Sequence, residues 1–156
     1  MDEKEEDEMI MIGSIREFKK GMCDATYAIV RSMKNRSDWM LQMAELSPSR
    51  ELFHDYIGVW KPAGEWNRAT FEERYAPRFL RQLANDPAAR ERLNEIWRRD
   101  RAGETIGLAC FCGDETLCHR SIVAGLLQGA GADVRLASGA DYSRYFEEFR
   151  AMEKRP

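Results

Sequence analysis

The stretch TIGLACFCGDETLCHRSIVAGLL, Thr105 to Leu127, decides how the rest of the chain is read. Its first part, Thr105 to Cys112, holds no charged side chain. A run of that length and character predicts a central parallel strand covered on both faces. A tight polar loop, Gly113 to Leu117, follows. A helix is then expected from Cys118 or His119. It buries Ile122, Val123, Leu126 and Leu127 and stops at Gly129 or Gly131. Strand, loop and helix in that order form part of an α/β unit.

The flanking sequence extends the pattern. Met9 to Ile12 is a short apolar run closed by Gly13 and Ser14, and it reads as a buried strand. Phe18 to Met22 is expected to form a helical turn broken at Gly21. Thr26 to Val30 reads as a second strand with Arg31 at its end. Ser32 to Asp38 reads as a loop, and Trp39 to Leu46 fits neither periodicity. Ser47 as cap and Pro48 as first residue predict a helix ending at Gly58. Residues 58–69 then form a loop anchored by Val59, Trp60 and Trp66. Thr70 and Glu73 form a capping box ahead of Phe71, Tyr75 and Phe79, and Pro77 should kink or divide that helix. Asp86-Pro87 opens a helix that runs to Gly103, with an arginine-rich outer face. Asp133 to Ala137 reads as a last strand, and Asp141 caps a final helix. The order predicts one α/β domain over residues 9–156: a mostly parallel sheet flanked by helices in a Rossmann-like three-layer sandwich.

Composition narrows the classes. The 156 residues suit one domain, and no apolar run approaches the roughly 20 residues needed to span a bilayer. The N-terminus is acidic, so no secretory signal is visible and a cytoplasmic location is expected, with no membrane partner. The formal charge of -3 is uneven. Residues 2–8, DEKEEDE, carry a net of -5, which leaves 23 basic and 21 acidic residues elsewhere. An acidic, disordered tail over residues 1–8 is expected ahead of a mildly basic body.

Three of the four cysteines, Cys110, Cys112 and Cys118, crowd into the opening stretch beside His119, one of only two histidines. Three readings stay open. In the first, Cys118, His119 and Arg120 are catalytic, and Arg31, Arg120 and Ser121 hold an anion. The junction follows a strand's carboxyl end and starts a helix whose free N–H groups attract negative charge. Arg120 could grip phosphate or carboxylate, His119 could move a proton, and Cys118 beside an arginine could ionise. A small anionic ligand, a nucleotide or a nucleic-acid end would be the partner. In the second, Cys110, Cys112, Cys118 and His119 bind zinc or iron. Adjacent Cys118 and His119 are expected to face one ion with difficulty. In the third, the cysteines are core residues, and the chain is a non-catalytic interaction protein using its acidic tail or arginine-rich helix. The spacing from Cys112 to Arg120 excludes a phosphatase loop. His54 reads as a surface residue and Cys23 as inert. Trp60 and Trp66 could stack on a base, but packing is the commoner use. No cofactor can be named from these residues.

The segment GLACFCGDETLCHRSIVAGLL resembles the hallmark of the bacterial domain-of-unknown-function 488 family, in which an apolar strand ending at cysteine leads to Cys-His-Arg-Ser and a helix. WMLQMAELSPSRELF at 39–53 and FEERY at 71–75 resemble further segments of that family, as do MIMIGS and the arginine after AIV. The likeness spans roughly residues 9–137. It implies an α/β fold and a shared pocket at Cys118, His119, Arg120 and Ser121, with Arg31 as a second position. Family members often carry an aspartate where this chain has Val30 or Ile29. The resemblance supplies no substrate.

Overall fold

The computed structural model describes residues 9–33 and 38–153. The acidic stretch 1–8 and part of the 32–38 loop lie outside them. Five strands form one all-parallel sheet: β1 (Ile10–Ser14), β2 (Ala25–Ala28), β3 (Met40–Gln42), β4 (Ile106–Cys110) and β5 (Val134–Leu136), in the order β3-β2-β4-β1-β5. The expected α/β sandwich is therefore present. β4 lies at the centre, and all five of its residues are buried. It pairs with β1 from Ile10 opposite Ile106 to Ser14 opposite Cys110, and with β2 from Ala25 opposite Ile106 to Ala28 opposite Ala109.

The helices are α1 (Arg50–Asp55), α2, α3 (Pro87–Arg101), α4 (His119–Gly129) and α5 (Arg144–Glu153). α2 joins Arg68–Thr70 to Ala76–Ala84 through a wider turn at Phe71–Tyr75. The sheet's two faces are covered unequally. One packs Ile10, Ile12, Ile106 and Leu108 against Phe79, Leu83, Leu93, Ile96, Ile122 and Val123 from the helices. The other buries a smaller cluster of Phe18, Ala28, Val30, Met40 and Ala109. Alternation along each strand makes this division, because successive side chains point to opposite faces. α4 approaches α5 closely at Gly129, where an added Cβ would run into Phe146.

Several local expectations are corrected. β3 is a three-residue strand that neither periodicity reveals. β2 ends at Ala28, not Val30. The stretch Phe18 to Met22 holds a single tight turn, closed by Met22 N on Lys19 O with Gly21 left-handed, and the helical turn lies earlier, at Ile15–Glu17. Ser49 caps α1, accepting from Leu52 N at 3.1 Å, because the Ser47 hydroxyl donates to Ala44 O. Gly58 does not end that helix; the chain continues through a wide turn, Tyr56–Trp60, that buries Trp60. Asn67, not Thr70, caps α2, since its side chain reaches Thr70 N at 2.9 Å. The break expected at Pro77 takes the form of a wide turn, Phe71–Tyr75, through which α2 stays continuous. That turn, just ahead of Pro77, relieves the crowding that the proline ring imposes on a preceding carbonyl. α5 starts at Arg144, while Asp141 accepts from Ser143 N.

This topology makes a crevice. From β2 the chain leaves toward β3; from β4 it leaves the other way, past β1 to β5. β2 and β4 are neighbours, so their exits diverge and open a gap beyond their carboxyl ends. In open α/β sheets that switch point is where ligands bind.

Candidate functional site

A cleft of about 480 Å³ occupies the switch point. Val30, Arg31 and Ser32 from the end of β2 and Cys110, Phe111 and Cys112 from the end of β4 line it. Leu117, Cys118 and His119 lead into α4. The remaining wall comes from Pro48 and Arg50 at the start of α1, and from Phe53, Tyr56, Trp66 and Tyr75.

The floor is made of sulfur and one imidazole. Cys110 Sγ lies 3.8 Å from Cys112 Sγ and 3.3 Å from Cys118 Sγ. All three sulfurs lie within 4.8 Å of one another. His119 Nδ1 lies 3.8 Å from Cys110 Sγ and 3.7 Å from Cys118 Sγ. Neighbouring Cys118 and His119 both approach Cys110 Sγ, but the ligand atoms that lie within 4.8 Å of one another are the three sulfurs, without His119. Cys118 caps α4 in an extended conformation and His119 begins the helix, so the backbone turns between them.

The His119 tautomer follows from its other nitrogen. Nε2 is 2.7 Å from the Ile29 carbonyl, which can only accept, so Nε2 carries the proton. Burial lowers the His119 pKa, which keeps the ring neutral. Its Nδ1 lone pair is therefore turned toward the sulfurs. Phe79 packs edge-on against the ring at 5.6 Å and fixes its plane.

The cluster favours one negative charge. S–H groups of Cys112 and Cys118 hold the Cys110 thiol well below its ordinary pKa, and the Arg120 charge adds to this. Cys112 is raised mainly by Cys110, and Cys118 by burial. The three titrate as a set. Arg120 accounts for the counter-charge. It is 4 % exposed, and none of the described carboxylates forms an ion pair with it. Its Nη1 donates to the Cys112 carbonyl, and its Nε has no partner. A buried cation needs a nearby anion, and the sulfur cluster is the one at hand.

The expected anion-binding residues separate. Arg31 lines the cleft, with Nη1 donating to Pro48 O at 3.2 Å. Arg120 and Ser121 are buried behind the floor; Ser121 Oγ donates to Cys118 O at 2.8 Å. His54 and Cys23 lie outside the cleft lining, and Cys23 contacts Met11 Sδ at 3.8 Å. Trp60 is buried, whereas Trp66 reaches the cleft and meets Tyr56 at 4.4 Å between ring centres. Sequence reasoning passed over Arg50, Phe53, Tyr56 and Tyr75 because amphipathic spacing marks such residues as core.

A family model described as the active DUF488-N3 subclade (DUF488-N3a) matches residues 1–131. The chain belongs to the DUF488 family. No curated protein and no solved structure matches it. The DUF488-N3a match takes in both cleft-forming strand ends, β2 and β4, and stops before β5 and α5. In this DUF488 chain the connection between those later elements still supports the site's loop. Glu115, between Cys112 and Cys118, accepts from Tyr142 Oη at 2.7 Å and from Ser138 Oγ. Among the described residues, no helix is long and apolar enough to cross a membrane. The arginine-rich face of α3 is ion-paired, through Arg92–Glu45, Arg98–Glu91 and Arg99–Glu104.

Proposed function

We propose that this chain is a metal-binding protein whose Cys110, Cys112 and Cys118 thiolates hold a soft divalent ion, zinc foremost, at the floor of a ligand cleft. The convergence of three sulfurs on one point carries the reading. With a metal–sulfur distance of about 2.3 Å, a tetrahedral site has sulfur–sulfur edges of about 3.8 Å. Cys110 and Cys112 already stand at 3.8 Å, and the 3.3 Å to Cys118 must open by about 0.5 Å. His119 Nδ1, 3.8 Å from Cys110 Sγ and 3.7 Å from Cys118 Sγ but outside the three-sulfur group, would have to shift to take the fourth position. Its Nε2–H bond to Ile29 O is the kind of outer contact that orients a metal-ligating histidine. Three thiolates and a divalent ion sum to one negative charge, which matches Arg120, the one buried arginine or lysine among the described residues. With the fourth position left to a cleft ligand and not taken by His119, such an ion would supply a Lewis acid there.

Elemental analysis of untagged protein tests this. One equivalent of zinc or iron is expected, falling sharply in Cys112→Ser. Trace metal unchanged by that substitution overturns the reading.

A second reading uses the same residues without an ion. A thiolate shared by Cys110 and Cys118, the neutral His119 ring and the Arg120 charge form a nucleophilic site acting on an anionic ligand. The 3.3 Å sulfur contact and the lowered Cys110 pKa favour it. Rapid, single-site alkylation of metal-free protein well below pH 8 would support it; alkylation only at ordinary thiol pH would remove it.

A further inference from the structure

We infer that the mouth of the cleft binds an anionic ligand carrying a flat aromatic ring, of the size and chemistry of a nucleoside monophosphate. The inference deepens the ligand-cleft reading above but does not depend on the ion. It stands on three observations, none involving the sulfur cluster.

The first is charge. The cleft lining holds no aspartate or glutamate, yet it holds Arg31 and Arg50, both exposed. Neither forms an ion pair with a described carboxylate, whereas most arginines of α3 do. Unneutralised arginines around an acid-free opening attract an anion and can grip it through paired N–H bonds.

The second is placement. Arg31 is fixed, not merely present. Gln42 Nε2 donates to the carbonyls of Val30 and Arg31, at 3.0 and 2.6 Å. The Arg31 guanidinium donates to Pro48 O. Gln82 holds the loop that bears Pro48, accepting from Ser49 N at 2.7 Å and donating to Ser47 O at 2.9 Å. The cation is thus held at the rim by a chain of contacts that reaches α2, so little conformational freedom is lost when it binds.

The third is the wall. Trp66 and Tyr56 present half-buried ring surface to the cleft, and Phe111, 63 % exposed, stands at the end of β4. Tyr75 meets Trp66 edge-on at 5.4 Å and holds it from behind. An exposed phenylalanine beside arginines is poorly used against water alone; a planar ring would cover it, and aromatic stacking tolerates any base. The volume lies within the range of small-ligand pockets.

A base joined to a phosphate comes either as a free nucleotide or as a nucleic-acid end. Equilibrium binding by calorimetry separates these sources, with adenosine monophosphate, adenosine, inorganic phosphate and a 5′-phosphorylated dinucleotide as probes. The monophosphate or the dinucleotide should bind at least about tenfold tighter than adenosine or phosphate alone, and the tighter of the two identifies the source. Arg31→Ala with Arg50→Ala should weaken binding about tenfold or more and flatten its salt dependence. Trp66→Leu should weaken the monophosphate about tenfold and leave inorganic phosphate unchanged. If neither base-bearing phosphate binds at millimolar concentration, or if phosphate alone binds as tightly, the inference is overturned. Nucleotide binding by protein that carries only trace metal as purified removes the ion reading alone. A full complement of metal without nucleotide binding removes this inference alone.

Discussion

The floor and the mouth of the cleft meet in space and differ in nearly every physical respect. Cys110, Cys118, His119 and Arg120 are all 5 % exposed or less, and each is held by partners inside the protein. Arg31, Arg50, Phe53 and Phe111 are exposed. The floor is continuous with the core, since Cys110 and Cys118 belong to the same apolar cluster as Phe79 and Leu108. Floor chemistry and fold stability are therefore coupled, whereas the mouth is free to vary. A soft, singly charged, water-poor base is set beneath a basic and aromatic rim.

The coupling can be tested from the largest effect downward. Phe79→Ala, beneath the His119 ring, should cost about 3–5 kcal/mol in urea denaturation, because a fully buried aromatic is removed from the shared core. Arg120→Met should cost about 3 kcal/mol, because it leaves the thiolate without its buried counter-charge. It should also move thiolate absorbance to higher pH; an unchanged absorbance profile would break the link between Arg120 and the floor. His119 sharpens the comparison through pH. Burial lowers its folded pKa below the unfolded value of about 6.5, so its contribution is complete above that pH and is lost as pH falls below it. Below about pH 6.5, metal-free wild type should lose up to about 1.4 kcal/mol per pH unit more than His119→Gln. At the mouth, Arg31→Ala with Arg50→Ala should change stability by about 0.5 kcal/mol or less, with metal content unaltered. A large loss there would mean that the rim is structural after all.

The uneven legibility of the molecule has the same origin. Thr105 to Cys112 announced β4 because a strand buried on both faces must be apolar throughout, whatever its neighbours. Asp86-Pro87 announced α3, since cap and proline act within one turn. β3 was illegible because three residues carry no period. Its place at the sheet edge depends on pairing Thr26 with Met40 across the 26–40 connection. The wide turns at Tyr56–Trp60 and Phe71–Tyr75 were also hidden. They answer to the burial of Trp60 and to the ring of Pro77, which are packing demands.

For the site, the sequence alone determined the chemical inventory: three cysteines, a histidine and an arginine between a buried strand and a helix start. That follows from chain connectivity, since nearby residues cannot be far apart in space. Only the tertiary structure decided how the inventory is shared. It turned Arg120 inward as counter-charge and left Arg31 at the rim. It tied His119 to Ile29, ninety residues away, and so fixed which nitrogen faces the sulfurs. It also brought Arg50, Tyr56 and Trp66 to the same opening. The physical reason is that burial, hydrogen-bond partners and the direction of a side chain are set by contacts between distant segments. Local spacing encodes none of them.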